Sequence, residues 1–272
     1  MSLVANEPAI AQRLHLARQL ARGAGALQRA RYETDLTIAT KSRSIDLVTE
    51  VDRACEALIV DGIGSVFAGD AILAEEGGRG AGPGAEFRWV VDPLDGTTNF
   101  AHGFPRFCVS IGIERRGERV AGIVFDPLLD ECFEAARGRG AWLGNRRLAV
   151  SRETELARGL FATGFAYDVH DSADDNLAAF ARVEKSARGI RRDGSAALDL
   201  CYVAAGRVDG YWERKLNPWD VAAGFLMVEE AGGRLTGSEG GAIDASGRDV
   251  VATNGLVHEA LLAAIRTGGG AT

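Results

Sequence analysis

Two aspartates and two threonines lie in one short stretch of the chain, WVVDPLDGTTNF, which runs from residue 89 to residue 100. Its apolar start predicts the end of a buried strand, and Pro93 should stop that strand because proline cannot donate to a β-ladder. Asp95-Gly96 then predicts a tight turn, and Thr97 and Thr98 can cap a helical turn whose free N–H groups face the carboxylates. Carboxylates and N–H donors at a strand end could together bind a metal ion and a phosphate.

Further acids stand where a fold could bring them to the same place. Glu75-Glu76 follow a short apolar run, and Asp220 begins a predicted helix much later in the chain. If these carboxylates met without a cation, each close pair would repel by about 1–4 kcal/mol. Oxygen ligands without histidine or cysteine favour a hard cation, so we expect Mg²⁺, with Mn²⁺ as a substitute. An aspartate at a helix start can also simply stabilise the helix, so Asp220 keeps both interpretations.

The overall composition excludes several classes of function. The chain has 272 residues, 46% of them hydrophobic, which can bury a large core in one domain or two closely packed halves. A net charge of −7 without a basic stripe argues against binding to nucleic acid or to an anionic membrane. The four cysteines form no C-x-x-C and the four histidines no H-E-x-x-H, which makes a zinc site improbable. No apolar run approaches a membrane span and no signal peptide is evident, so we expect a cytoplasmic protein.

The remaining patterns predict the elements that must position these acids. A helix is expected from Asn6 to about Ala30, and a second helix should begin at a capping arrangement of Thr49 and Asp52. Short β-rich runs after residue 107 predict an antiparallel meander, whereas strands and helices alternate after residue 153. In that second half, helices are expected over about 173–187, 196–205, 218–231 and 257–265, and strands near 160–162, 190–191, 208–212, 234–236 and 250–252. Ser195 should cap the helix that Gly206 ends.

Three segments together are similar to a known family. Glu75-Glu76, WVVDPLDGTTNF and NPWDVAAGFLMVEEAGG (217–233) resemble both signature regions of the inositol monophosphatase family, and KSRSIDLVTEVD (41–52), GRGAWLGN (138–145) and RDGSAALDL (192–200) extend the resemblance along nearly the whole chain. It implies an αβαβα layered sandwich of α+β and α/β character. Residues 1–152 would carry an antiparallel sheet and most metal ligands, and residues 153–272 a smaller mixed sheet, with one site between these halves. It also implies a lithium-sensitive, Mg²⁺-dependent phosphatase that forms a homodimer.

The resemblance further implies roles for individual residues. Five groups would hold two Mg²⁺ ions: the carboxylates of Glu75, Asp92, Asp95 and Asp220 and the carbonyl of Leu94. Asp52 would lie near a third ion. Glu75 and Thr97 would activate the attacking water, and the amides of Gly96 and Thr97 would receive the phosphate. The substrate alcohol would contact Asp95, Gly194, Ser195, Ala196, Glu213 and Asp220, and Lys41 would lie on a flap near the metals. From the residues alone, positions 194–196 could be a helix cap and Glu213 a solvated strand end.

Several alternatives remain at this stage. Haloacid-dehalogenase-type phosphatases use Asp-x-Asp-Gly-Thr, in which the first aspartate is the nucleophile. This chain has one residue more between its two acids, which changes the direction of one side chain and argues against an aspartate nucleophile. We therefore expect direct attack by water on a phosphate monoester. myo-Inositol 1-phosphate is the leading substrate, and fructose 1,6-bisphosphate, a nucleoside 3′,5′-bisphosphate and histidinol phosphate are alternatives. A regulatory role through protein contacts is the rival from another class.

Overall fold

Helices and sheets alternate in the order αβαβα. The computed structural model describes residues 7–40, 45–77, 84–243 and 247–266. Its elements in chain order are α1 Pro8–Arg31, β1 Ile38–Thr40, β2 Leu47–Thr49, α2 Glu50–Val66, β3 Ala71–Ala74, β4 Phe87–Asp95, α3 Thr97–Ala101, β5 Cys108–Arg115, β6 Glu118–Asp126, β7 Glu131–Ala136, β8 Gly140–Leu143, β9 Arg146–Arg147, β10 Leu160–Thr163, α4 Leu177–Ser186, β11 Gly189–Arg191, α5 Ala196–Ala204, β12 Gly210–Arg214, α6 Pro218–Glu230, β13 Arg234–Thr236, β14 Asp249–Thr253 and α7 His258–Arg266.

The larger sheet belongs to the first half of the chain and has the strand order β3-β4-β5-β6-β7-β8-β9. The strands from β4 to β9 pair antiparallel, as the predicted meander requires, whereas β3 joins β4 in parallel. Helices α1 and α2 cover one face of this sheet through buried apolar side chains such as Ile59 and Ile63. The predicted cap of α2 is confirmed, because Thr49 and Asp52 form a reciprocal capping box.

The smaller sheet has the order β11-β10-β12-β14-β13 and mixes parallel with antiparallel pairs, as expected. Helices α5 and α6 lie between the two sheets, and α6 is buried continuously from Val221 to Val228 because both of its faces meet other elements. Helices α4 and α7 pack together on the outer face against Phe161, Trp212 and Val251. Among the described helices, none is long and apolar enough to cross a bilayer.

Two predicted boundaries were wrong by several residues. Strand β4 passes through Pro93 and ends at Asp95, because an irregularity in its pairing with β5 accommodates the proline. The helix expected from about residue 173 begins only at Leu177, after Asn176, whose φ of 64° is left-handed. Asn176 instead donates from Nδ2 to Gly164 O at 2.9 Å, so its side chain bonds to the residue that follows β10 of the smaller sheet. The predicted ends of α5 and α6 are confirmed by left-handed Gly206 and Gly232.

Candidate active site

A cavity of about 250 Å³ lies between the two halves of the chain. The first half contributes the acids and the turn after β4, and the second half contributes the start of α5, the end of β12 and the start of α6. The sequence-predicted residues in its wall are Glu75, Asp92, Leu94, Asp95, Gly96, Thr97, Gly194, Ser195, Ala196, Glu213 and Asp220. The fold therefore brings together residues that are more than one hundred positions apart. Lys41, predicted on a flap, lies outside the described residues.

A β-bulge places Asp92 and Asp95 on the same side of β4. Residues three apart in a regular strand point to opposite faces of the sheet. Asp92 is opposite Ser110 and Asp95 is opposite Cys108, so β4 has one residue more than β5 in this interval. That extra residue turns Asp95 back to the face of Asp92, and both carboxylates line the cavity. The spacing that argued against an aspartate nucleophile is thus what makes the two acids converge.

The carboxylates of the cavity wall destabilise one another's charge. Burial raises the pKa of Asp92 well above its usual range, and the neighbouring charges of Glu75, Asp95 and Asp220 raise it further. Burial likewise raises the pKa of Asp220, although the backbone N–H of Asn217 donates to it at 2.7 Å and lowers the pKa in part. Four carboxylates that repel in a partly buried cavity form a site that a divalent cation would stabilise.

The donor set fits a hard cation. The described cavity wall contains carboxylates and the Leu94 residue but no histidine or cysteine. Within the described part of the chain, no group of three or more acidic, histidine or cysteine side chains lies close enough together to hold one metal ion. Mg²⁺ suits such an open arrangement because it usually keeps several waters and takes only one or two carboxylates.

Asp95 is the most constrained of the acids. Burial raises its pKa, while hydrogen bonds from Ser195 Oγ at 2.6 Å and from the backbone N–H of Ala197 at 2.8 Å lower it. Both donors belong to the start of α5 in the second half of the chain. Ser195 occupies the predicted N-cap position of α5, but its hydroxyl does not cap the helix, since it donates to Asp95 instead.

Thr97 connects the cavity wall to a buried aspartate behind it. Its Oγ1 lies 2.8 Å from Asp52 Oδ1 and 3.0 Å from Leu94 O, both of which can accept its hydrogen. The other oxygen of Asp52 accepts hydrogen bonds from the Thr49 backbone and hydroxyl. Asp52 is fully buried and is not part of the cavity wall described above. Among the described contacts, Asp52 is linked to the cavity wall through Thr97.

Gly96 occupies the N-cap position of α3, so the predicted threonine cap is wrong. Its φ of 91° is left-handed, and a Cβ at this position would lie 2.8 Å from the carbonyl oxygen of Arg106. Both facts require glycine here. The turn directs the N-terminus of α3, where backbone N–H groups have no partner within the helix, toward the cavity.

The far side of the cavity is formed by small residues and Glu213. Burial raises the pKa of Glu213 to about 7, and a hydrogen bond from the Tyr211 hydroxyl to Oε2 at 2.6 Å opposes that rise. Gly194 has a φ of 78°, which glycine adopts readily. A cavity wall with one carboxylate and several short side chains can accept hydrogen bonds from an alcohol of moderate size.

Sequence reasoning missed several residues of the cavity wall. Asn99 donates from Nδ2 to the carbonyls of Arg106 and Asp193, each at 2.7 Å, and so links the two halves beside Gly194. Lys215 donates to Asp168 at 2.8 Å, while Phe165 and Tyr167 form an aromatic rim. Asn99 was visible inside the central motif. The residues of the 163–169 loop gave no signal, because only the packing of β10 beside β12 brings them here.

Comparison with known proteins agrees with these features. Residues 10–269 match the profile of the inositol monophosphatase family. An inositol-1-monophosphatase from Synechocystis sp. is 46% identical over 228 residues, which cover 84% of this chain and 79% of the relative. A Nus factor SuhB from Pseudomonas aeruginosa is 44% identical over 258 residues, covering 93% and 95% respectively. The structure of inositol monophosphatase from Anabaena (Nostoc) sp. PCC 7120 superposes with a TM-score of 0.85 at 41% identity, covering 94% of this chain and 96% of that one.

Proposed function

The chain belongs to the inositol monophosphatase family, and from this membership we propose that it hydrolyses myo-inositol 1-phosphate to inositol and phosphate when Mg²⁺ is bound in the cavity. The family makes it a phosphoric monoester hydrolase. The observation that carries the proposed metal dependence is the set of mutually repelling carboxylates, which both halves of the chain contribute to one cavity.

Five groups of the cavity would hold two Mg²⁺ ions: the carboxylates of Glu75, Asp92, Asp95 and Asp220 and the carbonyl oxygen of Leu94. When bound, the ions would offset the charge of the phosphate, make a water molecule more acidic and stabilise the departing alkoxide; Mn²⁺ would substitute. We propose that the buried Asp52 acts by orienting Thr97.

The chain's own groups would complete the reaction. Glu75, together with Thr97, would accept a proton from the attacking water, which would attack phosphorus in line with the leaving oxygen. The N–H groups of Gly96 and Thr97 at the start of α3 would donate to the phosphate oxygens. Ser195 and the Ala197 amide hold Asp95 in place from the opposite half. No covalent intermediate on the protein is required.

The alcohol side supports a polyol as the leaving group. Ionised Glu213 can accept hydrogen bonds from hydroxyls, and the small residues at 194–196 leave room for a ring. The name of the Synechocystis relative, inositol-1-monophosphatase, supports inositol as that polyol. Fructose 1,6-bisphosphate, nucleoside 3′,5′-bisphosphates and histidinol phosphate would carry a second charge or a larger group into the same space.

Release of inorganic phosphate tests the proposal. The protein should release phosphate from myo-inositol 1-phosphate with Mg²⁺ present, stop when EDTA is added and resume when Mg²⁺ is restored. In a panel with the three alternative substrates, myo-inositol 1-phosphate should give the highest kcat/KM. Activity that ignores EDTA would refute the metal dependence, and a higher kcat/KM for another substrate would refute the substrate assignment.

A role through protein contacts is a second candidate, because the Pseudomonas relative is named as a Nus factor.

We further propose a cytoplasmic homodimer that Li⁺ inhibits at the cation site. Light scattering after size-exclusion chromatography measures the oligomeric state, and an inhibition curve with LiCl against a KCl control measures the effect of Li⁺. A monomer would refute the dimer, and equal curves would refute lithium sensitivity.

A further inference from the structure

Gln28 places a buried amide beneath the bulge that carries the two central aspartates. It lies on the side of α1 that packs on the larger sheet and is fully buried. Its Nε2 lies 2.8 Å from the carbonyl oxygen of Pro93 and 3.4 Å from that of Cys108. Pro93 stands between the two aspartates, and Cys108 is the partner of Asp95 in β5. A single side chain thus contacts both strands where their register changes.

The bulge explains why such a contact is needed. The paired positions run from Asp92 with Ser110 directly to Asp95 with Cys108, so Pro93 is left outside the regular pairing. Proline has no N–H, but its carbonyl still needs a donor when it is removed from water. Leu94 N is held by Asp92 Oδ1 at 3.0 Å, which fixes one side of this peptide segment. The amide of Gln28 fixes the other.

Packing alone does not account for a glutamine at this position. Its second amide atom, Oε1, is buried without a hydrogen-bond partner among the described residues. A buried polar atom without a partner costs free energy, which an apolar side chain of similar size would avoid. The residue is useful here for the hydrogen that Nε2 donates.

We propose that Gln28 is a positioning residue that holds the Pro93 peptide, so that Asp92 and Asp95 face the cavity in the geometry that binds Mg²⁺. This inference rests on the proposed metal site. Gln28 is not among the described residues of the cavity wall, and its described hydrogen bonds are to Pro93 and Cys108. It acts from the helix layer on the opposite side of the sheet, as outer partners of metal ligands commonly do.

Gln28→Met tests the proposal, because methionine has a similar length but no donor. Calorimetric titration of the apo protein with Mg²⁺ should give a dissociation constant about 10-fold higher than that of the wild type. Ile10→Val is a matched control, since it changes a buried side chain of the same helix at the end remote from Gln28. It should leave the dissociation constant unchanged. Gln28→Leu serves if the methionine variant does not fold.

Hydrogen exchange separates this proposal from the proposed function. In metal-free protein, the amide of Leu94 should exchange about 10-fold faster in Gln28→Met than in the wild type, and at an unchanged rate in Ile10→Val. Unchanged exchange at Leu94 in Gln28→Met would overturn the positioning role whatever the metal does. Faster exchange with an unchanged Mg²⁺ affinity would also overturn it. A wild-type protein that binds no Mg²⁺ would refute the proposed function.

Discussion

The hydroxyl of Ser195 donates to Oδ2 of Asp95 across 2.6 Å, although the two residues are 100 positions apart in the chain. The same carboxylate oxygen accepts the backbone N–H of Ala197 at 2.8 Å. These bonds join the start of α5 to the turn after β4. The second half of the chain therefore controls the charge of an acid that the first half supplies.

Replacing Ser195 with alanine should move the acidic limb of the pH–activity profile to higher pH. The hydroxyl lowers the pKa of Asp95, so its loss allows Asp95 to keep its proton at higher pH and compete with metal binding. A hydrogen bond to a charged group contributes about 1.5–3 kcal/mol, which corresponds to a shift of about one to two pH units. Initial rates between pH 5 and 9 at a fixed Mg²⁺ concentration measure it.

Ser65→Ala is the control for that experiment, because Ser65 is exposed on α2 and bonds only within its own helix among the contacts described. Its profile should superimpose on that of the wild type. An acidic limb that stays in place in Ser195→Ala would show that the hydroxyl does not influence Asp95.

Asp92→Asn should lose nearly all turnover and yet melt at a higher temperature than the wild type in EDTA. The substitution removes a buried charge that repels Glu75, Asp95 and Asp220, while it preserves side-chain volume. Glu75→Gln should also abolish turnover at saturating Mg²⁺. Phosphate release and differential scanning calorimetry measure the two effects.

Glu76→Gln provides a comparison within the same turn, since Glu76 follows Glu75 but lies outside the cavity wall. It should retain a kcat near that of the wild type. If Asp92→Asn or Glu75→Gln also kept a near wild-type kcat, the proposed role of that residue would be wrong. A melting temperature of Asp92→Asn below that of the wild type in EDTA would contradict the proposed repulsion between Asp92 and the other carboxylates.

Because His258 is buried, the free energy of unfolding should decrease as the pH falls. Its ring nitrogens each lie 2.9 Å from a threonine hydroxyl, Thr236 on Nε2 and Thr253 on Nδ1. Burial lowers the pKa of His258 from 6.5 to about 4, so between these values the unfolded chain binds a proton that the folded chain does not. Its contribution to stability is therefore complete above pH 6.5 and is lost as the pH falls toward 4, by up to about 3 kcal/mol.

Urea unfolding at pH 7 and pH 5 measures this contribution in the wild type and in His258→Gln. The variant cannot titrate at this position, so its free energy of unfolding should fall less between the two pH values. An equal fall in both proteins would mean that His258 does not resist protonation.

The residue types of the site were predictable from the sequence, but their geometry was not. Acids at strand and helix ends can be recognised locally, and the meander and the caps at Thr49 and Gly206 follow from local preferences. The bulge at Pro93 depends on the pairing with β5 and on a donor from α1, which no pattern within β4 contains. The prediction from the residues of β4 alone therefore ended this strand too early.

The same limit explains why the Ser195 hydroxyl does not cap α5 and why α4 begins later than predicted. A serine before a helix is a good cap by local rules, but Ser195 finds a stronger acceptor in the ionised carboxylate of Asp95. Asn176 bonds to Gly164 and accepts the Trp212 indole N–H at 2.8 Å, and so delays the start of α4. In both cases a partner distant in sequence prevails over the local preference.

Calorimetric Mg²⁺ binding to the wild type and to Asp220→Asn tests most directly whether both halves of the chain form one metal site. Asp220 is the only metal ligand that we propose from the second half, and Glu118→Gln, an exposed change on β6, is the control. The wild type and the control should bind Mg²⁺ with equal affinity, and Asp220→Asn should bind it at least about 10-fold more weakly. Unchanged Mg²⁺ affinity in Asp220→Asn would contradict a site shared between the two halves.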